Sequence, residues 1–438
     1  MKPATASHHM LVRHLWRPIA GKIRHSQFVR NTFWYTALTG FERAFALAQT
    51  VLIARALGIT EYGVYGLLLG TIGLVASGIG LQMGLTSTVY VAKYKESAKE
   101  KAALLIRHVN AFAYTVAFGF CLLVVPFSQE ISLWLLSSNQ YAETILIASL
   151  FIAISLLAGV QDGVVEGFED FRAVALVRLA LSLLTLLAMY PVARSFGLYG
   201  VMVLLLIGVS LRYSAMTFIV RRHRRINELP ATGAGVSFAQ IILGFSLPSM
   251  LVSIVVGGVT WFGTFLLSRQ AGGFDGVAIV NTGLQWRGPV LLLASSLGAV
   301  ALPVFSRLSH EREEQAISTF RRKLLYINGA MSMCLALIVT LFSGHLLVTY
   351  GEAFLSGQLV FAILVMTTVP HVLANVYMQD LLGAGRAWKQ FQMQLFLAVP
   401  MGMGFVVLIP KYHAMGYAIS MGIGMIVFFL AARLNRKA

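Results

Sequence analysis

Thr50–Tyr65 reads TVLIARALGITEYGVY, and Thr264–Val280 reads TFLLSRQAGGFDGVAIV. At an offset of 214, Thr50 aligns with Thr264, Leu52 with Leu266, Arg55 with Arg269 and Gly58 with Gly272, while Glu61 meets Asp275. Each stretch is the end of a long apolar run followed by a glycine turn. Two later echoes keep nearly the same register. Gln161-Asp162 recurs as Gln379-Asp380 with Gly167 matched by Gly385, and Gly197-Leu198-Tyr199 recurs as Gly416-Tyr417. Three echoes in one register predict two related halves.

What kind of halves follows from composition. The 438 residues are 58% hydrophobic and 12% charged, against about 25% charged residues in soluble domains. A hydrocarbon core of about 30 Å needs about 20 apolar residues per helical span. Twelve such runs are expected, near 30–55, 63–92, 103–127, 141–162, 173–193, 197–220, 239–267, 275–305, 322–343, 356–380, 389–409 and 413–432. The chain therefore reads as an all-α polytopic membrane protein of about 12 transmembrane helices. Six spans per half is an even number, so both halves run in one orientation, as parallel repeats do. The divisions are a basic cytoplasmic segment 1–27, a six-helix lobe 28–225 and a second six-helix lobe 226–438.

Charge sets the orientation. With the N-terminus inside, 27 of the 34 Lys and Arg residues fall on cytoplasmic segments and four on outer loops (Arg55, Arg194, Arg269 and Lys411). This asymmetry predicts that both termini are cytoplasmic. It also accounts for the net charge of +17 without a nucleic-acid partner, because the charges alternate with topology instead of gathering in one domain. Segment 1–27 spaces Leu11, Leu15, Ile19 and Ile23 four apart among basic residues. That pattern suits an amphipathic helix on an anionic leaflet, and a loose tail held by charge is the other reading. The adjacent His8 and His9 are not read as a metal site. Cys121 and Cys334 fall inside spans, with no disulfide or metal-ligand spacing.

Charged residues inside the spans point to function. Such a residue at the bilayer centre costs about 2.5–3.5 kcal/mol even on insertion scales, and by default marks a ligand or ion pathway. Span one carries Glu42 and Arg43 in TGFERAFALAQ, Thr39–Gln49. Successive residues point about 100° apart on a helix, so the two are not a pair. Arg43 shares a face with Thr36, Thr39 and Gly40, and Glu42 with Thr39 and Gln49; this side looks at protein or water. Span eight carries Arg287 in NTGLQWRGPV with Asn281 and Gln285. Pro289 cannot donate to the Gln285 carbonyl, so a bend is expected there, on the wall of a cavity. Span ten places His371, Asn375 and Gln379 four apart on one face, suited to a sugar or a coupling cation, or to bonding between helices. Arg212 lies near the cytoplasmic end of span six, within snorkelling reach of the headgroups, and is read as structural.

Two lobes with polar groups between them predict a transporter working by alternating access. A membrane-embedded glycan polymerase or ligase is a second class, but the outer loops are short and carry no nucleophile–base or paired-carboxylate motif. A purely structural protein would not keep charges within its spans. A major-facilitator sugar porter should show an acidic–basic glycine motif between spans two and three, and VAKYKESAKEKAALL (Val91–Leu105) lacks it.

The stretch Phe28–Leu85, with Asn31 near the start of span one, ARALGITEYGVYGLLLG across the first turn and a glycine-rich second span, resembles the opening of Wzx-type polysaccharide flippases. These belong to the multidrug/oligosaccharidyl-lipid/polysaccharide (MOP) exporter superfamily. SLPSM (Ser246–Met250) and LLGAGR (Leu381–Arg386) fit the same resemblance, which spans essentially the whole chain. It implies a MATE-like MOP fold in a bacterial cytoplasmic (inner) membrane, and no enzyme activity. The substrate it implies is undecaprenyl-pyrophosphate-linked oligosaccharide, flipped for polysaccharide or lipopolysaccharide biosynthesis. Membrane lipids and glycan polymerase or ligase machinery are the implied neighbours. No cofactor is implied beyond a coupling proton or sodium ion. In the related lipid II flippases, arginines of helices one and eight bind the pyrophosphate, and Arg43 and Arg287 stand on those helices. Guanidinium groups pair bidentately with phosphate oxygens. Glu42 is then an ion carrier or a partner that tempers Arg43. Twelve spans, against fourteen in lipid II flippases, favour a different polysaccharide. Two mid-membrane arginines also make a sparser cationic cavity. The superfamily's cation-coupled multidrug exporters are the alternative, and the arginines argue against an organic cation.

Overall fold

A computed structural model describes residues 27–95, 99–222, 238–310, 314–383 and 387–435. The expected amphipathic segment therefore lies outside the described residues, apart from Gln27. All regular elements among the described residues are helical. Helix α1 (Gln27–Leu57) turns at Gly58 into α2 (Ile59–Ile79), as α8 (Leu247–Ser268) turns at Gly272 into α9 (Gly273–His310). Gly58 and Gly272, the echoed glycines, both take positive φ, 82° and 63°. Glycine adopts this region without the steric cost a Cβ would bring.

The rest follows in order: α3 (Met83–Tyr94), α4 (Lys99–Val124), the short α5 (Ser128–Leu136), α6 (Ala142–Gly167) and α7 (Phe171–Arg222). After α9 come α10 (Glu314–Leu341), the short α11 (Ser343–Tyr350), α12 (Gln358–Met366), α13 (Thr368–Gly383) and α14 (Ala387–Leu434). Eight helical runs among the described residues are long and apolar enough to cross a membrane, one of them the run Glu352–Leu381 that includes α12 and most of α13. Two of them, α7 with 52 residues and α14 with 48, are each broken once, at Gly197 and at His413. At 1.5 Å per residue each is roughly 70–80 Å of helix, more than twice the hydrocarbon thickness. The exterior is apolar: Phe118 and Leu122 of α4, Leu187 and Phe218 of α7, Leu341 of α10 and Met403 of α14 are exposed. The short helices α5 and α11 begin 215 residues apart, and the two breaks lie 216 apart, so the periodicity read from the sequence recurs in the backbone.

Three expected spans differ from the helices observed. The span expected over 63–92 is interrupted, because Leu81 and Gln82 take positive φ of 44° and 52° between α2 and α3. The span expected over 356–380 is divided at Thr367. Pro370 has no N–H to offer the Met366 carbonyl and crowds it. The hydroxyls of Thr367 and Thr368 donate to the carbonyls of Leu364 (2.6 Å) and Val365 (2.5 Å), so the break leaves these acceptors satisfied. Ahead of α8, residues Ile242–Ser246 form a π turn just before Pro248, whose missing N–H makes the regular ladder impossible there. By contrast α9 continues through Pro289 as one helix.

Packing separates into three groups of contacts. In the first half α6 packs on α7, α1 on α7, and α3 and α4 on α6; in the second, α8 packs on α14, and α13 on α9, α10 and α14. Across the halves α2 lies against α8 and α9. The glycines of α2 and α3 make these approaches close. A Cβ at Gly63 would run into the Phe274 carbonyl of α9, and one at Gly84 would sit 2.7 Å from the Gly159 oxygen of α6.

Candidate functional site

The end of the bundle that α1 reaches at Leu57 is sealed between the halves. Arg55 donates to the Thr349 carbonyl at 2.6 Å, Thr60 to Asp275 at 2.6 Å, and Arg269 to Ser137 at 2.7 Å. Under these polar links Tyr62 of α2 packs edge-on against Tyr350 and Phe354, ring centroids 6.2 and 5.8 Å away. All three rings are buried. Nearby, Trp261 and Phe265 of α8 stack with Trp134 of α5, and the Arg269 guanidinium lies 4.8 Å from the Phe265 ring.

Toward the other end a cavity of about 140 Å³ opens between the halves. Arg43 of α1 forms one wall; Leu291 and Leu292 of α9, Asn328 of α10 and the face His371, Asn375 and Gln379 of α13 form the other. The four-residue spacing on α13 thus puts all three polar residues into one cavity, below the break that Pro370 imposes. Arg43 is exposed to it. Helix α1 is anchored by its neighbour residue Gln49, whose amide donates to the Ser182 carbonyl and to Thr185 of α7, each at 2.9 Å. Glu42 is half-buried, lies outside the cavity lining, and has no ion pair or hydrogen bond with described residues.

Arg287 differs from its expected place. It is only 6% exposed and stands behind the cavity wall, not on it. One guanidinium nitrogen donates to the Met421 sulfur at 3.3 Å and another to His371 Nδ1 at 3.4 Å, while its Nε has no partner. No carboxylate pairs with it among the described residues. A thioether and a neutral imidazole are its acceptors. Because His371 Nδ1 accepts, its own proton is on Nε2, which makes the ring a donor as well. His371 therefore touches Arg287 on one side and shares the cavity with Arg43 on the other.

The remaining expected residues fall elsewhere. Asn281 packs against Gly66 at the α2–α9 contact, with its amide nitrogen buried and unpartnered. Gln285 and Thr39 are half-buried and outside the cavity lining. Arg212 is held by an ion pair, in keeping with a structural role. Its Nε lies 3.6 Å from Asp162, which also receives Arg178 at 2.7 Å. The echoed Asp380 is bound by Arg321 of α10. Both echoed carboxylates are thus neutralised inside their own half, by arginines from different helices.

Asn328 is the cavity residue that sequence reasoning passed over. A lone asparagine in an apolar run carries no local signal. The repeat offset carried one: 218 residues earlier stands Asn110, and the same offset joins Gln161 to Gln379.

A family model described as polysaccharide biosynthesis protein matches residues 28–309. The chain is similar to the EPS I polysaccharide export inner membrane protein EpsE of Ralstonia nicotianae, with 20% identity over 354 residues, 80% of this chain and 79% of that protein. Its fold is that of a multidrug resistance MATE family transporter of the MOP superfamily in an inward-facing conformation. There the TM-score is 0.79 at 17% identity, over 90% of this chain and 94% of the other. It also matches the lipid II flippase MurJ in an inward closed conformation, TM-score 0.75 at 15% identity, over 92% of this chain and 87% of that one.

Proposed function

The chain belongs to the polysaccharide biosynthesis protein family, and from that premise we propose that it flips undecaprenyl-pyrophosphate-linked oligosaccharides across the bacterial inner membrane by alternating access. The observation that carries this reading is Arg287: a buried guanidinium without a carboxylate partner among the described residues, one residue removed from a cavity whose facing wall bears Arg43. Two positive charges that no described acid neutralises, on helices of opposite halves, are suited to an anion held between them. Phosphate oxygens match the guanidinium geometry. The fold, shared with MOP transporters, supports transport over chemistry on the glycan.

The topology proposed for this cycle has both termini in the cytoplasm, with lobes 28–225 and 226–438 rocking about the cavity. The Tyr62–Tyr350 end is then the outer gate. The cavity of about 140 Å³ is smaller than the roughly 300–1,000 Å³ usual for sites enclosing a drug-sized ligand, so the lobes separate further to admit a glycan. The polyprenyl tail stays in lipid at a lateral opening. Glu42, adjacent in sequence to Arg43 and without a partner among the described residues, is the candidate carrier of the coupling proton or sodium ion.

The test is delivery of a fluorescent polyprenyl-pyrophosphate glycan to the outer leaflet of proteoliposomes, with insertion checked for each variant. Arg43→Ala and Arg287→Ala are expected to abolish delivery. Full delivery by both variants would make the arginines structural. A native protein that moves organic cations and not the glycan lipid would transfer the assignment to cation-coupled multidrug export.

A further inference from the structure

The offset of 218 places the same trio in each half: Asn110, Gln161 and Asp162 in the first, Asn328, Gln379 and Asp380 in the second. The halves use it differently. In the first half the amides are bonded to each other, outside the cavity lining, with Gln161 Oε1 left buried and without a partner. Gln161 Nε2 donates to Asn110 Oδ1 at 2.7 Å, and Asn110 Nδ2 donates to the Ile106 carbonyl at 2.8 Å. In the second half the corresponding side chains make no hydrogen bond with described residues. Asn328 is 3% exposed, its Oδ1 has no partner, and it lines the cavity together with Gln379.

A buried amide without a partner is costly, and most such groups in folded proteins are satisfied. Asp380 does not supply the missing bond, because Arg321 holds it. An unpartnered oxygen occurs in both halves, but only Asn328 and Gln379 line the cavity, so the open pair is polar capacity within reach of something that enters it. Its chemistry is specific. A carboxamide offers both donors and an acceptor and carries no charge. That suits hydroxyl and acetamido groups and gives no preference for an anion, which the cavity meets with Arg43.

We propose that Asn328 and Gln379 form a sugar subsite, reading the first sugar next to the phosphate bound by Arg43. This rests on the flippase reading above and adds a division of labour: guanidinium for the phosphate, paired amides for the sugar ring. The first-half amides, locked together, take no part.

The test is binding to the purified full chain in nanodiscs of three probes: bare undecaprenyl pyrophosphate, and the same lipid bearing one hexose or one N-acetylhexosamine. The native protein is expected to bind at least one sugar-bearing lipid about tenfold tighter than the bare lipid. Asn328→Leu and Gln379→Leu are expected to lose that increment while holding the bare lipid within about twofold, and Gln161→Leu to keep the increment. Unfolding midpoints report folding separately: Asn328→Leu should match or exceed the native protein, whereas Asn110→Leu, which strands Gln161, should fall below it. No sugar increment in the native protein, or an increment that survives in both variants, overturns the subsite alone. Failure of the native protein to bind the bare lipid overturns the anion reading and the subsite with it.

Discussion

Replacing Arg287 by methionine should stabilise the protein and abolish its transport. The native side chain is 6% exposed, and its acceptors are a thioether at 3.3 Å and an imidazole at 3.4 Å, both long, with Nε left over. A buried ion retains a penalty of several kcal/mol after relaxation. Hydrogen bonds made by a charged group return about 1.5–3 kcal/mol each when well formed, and these two are at the limit of reach. The balance is a net cost on the order of 2 kcal/mol in the empty protein. Methionine keeps most of the buried stem, worth about 0.8 kcal/mol per methylene, and removes the charge. Arg287→Met should therefore gain about 1–3 kcal/mol in equilibrium unfolding.

The sign makes the experiment decisive. Were Arg287 a structural ion, its removal would strand a partner and cost about 3–5 kcal/mol. Ligand linkage gives a second readout. A ligand at 100 times its Kd stabilises the native state by about 2.7 kcal/mol, so adding polyprenyl pyrophosphate should raise the unfolding midpoint of the native protein and leave that of Arg287→Met unmoved. Destabilisation by the substitution, or an undiminished ligand shift, would refute the reasoning.

Other perturbations probe the surrounding parts. Asp162→Asn removes the carboxylate that Arg178 and Arg212 share, and should cost about 3–5 kcal/mol of stability, read by unfolding in detergent, while the correctly folded fraction still transports; an unchanged midpoint would mean the cluster is solvated. Gly63→Val places side-chain atoms against the Phe274 carbonyl, and should shift the protein toward an outward-open state, seen as faster labelling of a cysteine introduced beside Tyr62 in a background free of Cys121 and Cys334. Glu42→Gln should make transport insensitive to an imposed proton or sodium gradient while polyprenyl-pyrophosphate binding stays within about twofold; retained gradient dependence would remove Glu42 from the coupling role.

Much of the architecture was legible because it is periodic. Apolar runs gave the helices, and Gly58 and Gly272 marked equivalent turns whose backbone needs positive φ. The α13 face was legible too, since a spacing of four on a helix fixes one side. What the chain order hides is which side faces what. Nothing local told that Arg287 would be covered by His371 and Met421, 84 and 134 residues away, or that Asp162 would be the partner of Arg212. The interruption at Leu81-Gln82 also had no local marker, because a glycine-rich apolar run is compatible with a straight helix. The contacts beside it are tertiary: Gln82 donates to Ser253 at 3.2 Å, and Thr86 shares a 2.8 Å hydrogen bond with Ser246, both on the second half.

The placement of the two arginines also bears on how binding could drive the cycle. A ligand shifts a conformational equilibrium only by its difference in affinity between the states. Were both arginines on one lobe, an anion would bind inward- and outward-open states alike and drive nothing. Arg43 belongs to α1, fastened to α7 through Gln49, whereas Arg287 and its partner His371 belong to the α9–α13 pair of the other half. Rocking of one half against the other must change the separation of the charges, so an anion bridging them favours the state in which they approach. In the proposed cycle the pyrophosphate thereby draws the lobes together over the substrate, and release requires them to part on the opposite side. Spin labels on α1 and α13 would register this directly. Polyprenyl pyrophosphate should shorten their separation in the native protein and leave it unchanged in Arg287→Met; no shortening in the native protein would show that the anion is bound without bridging the halves.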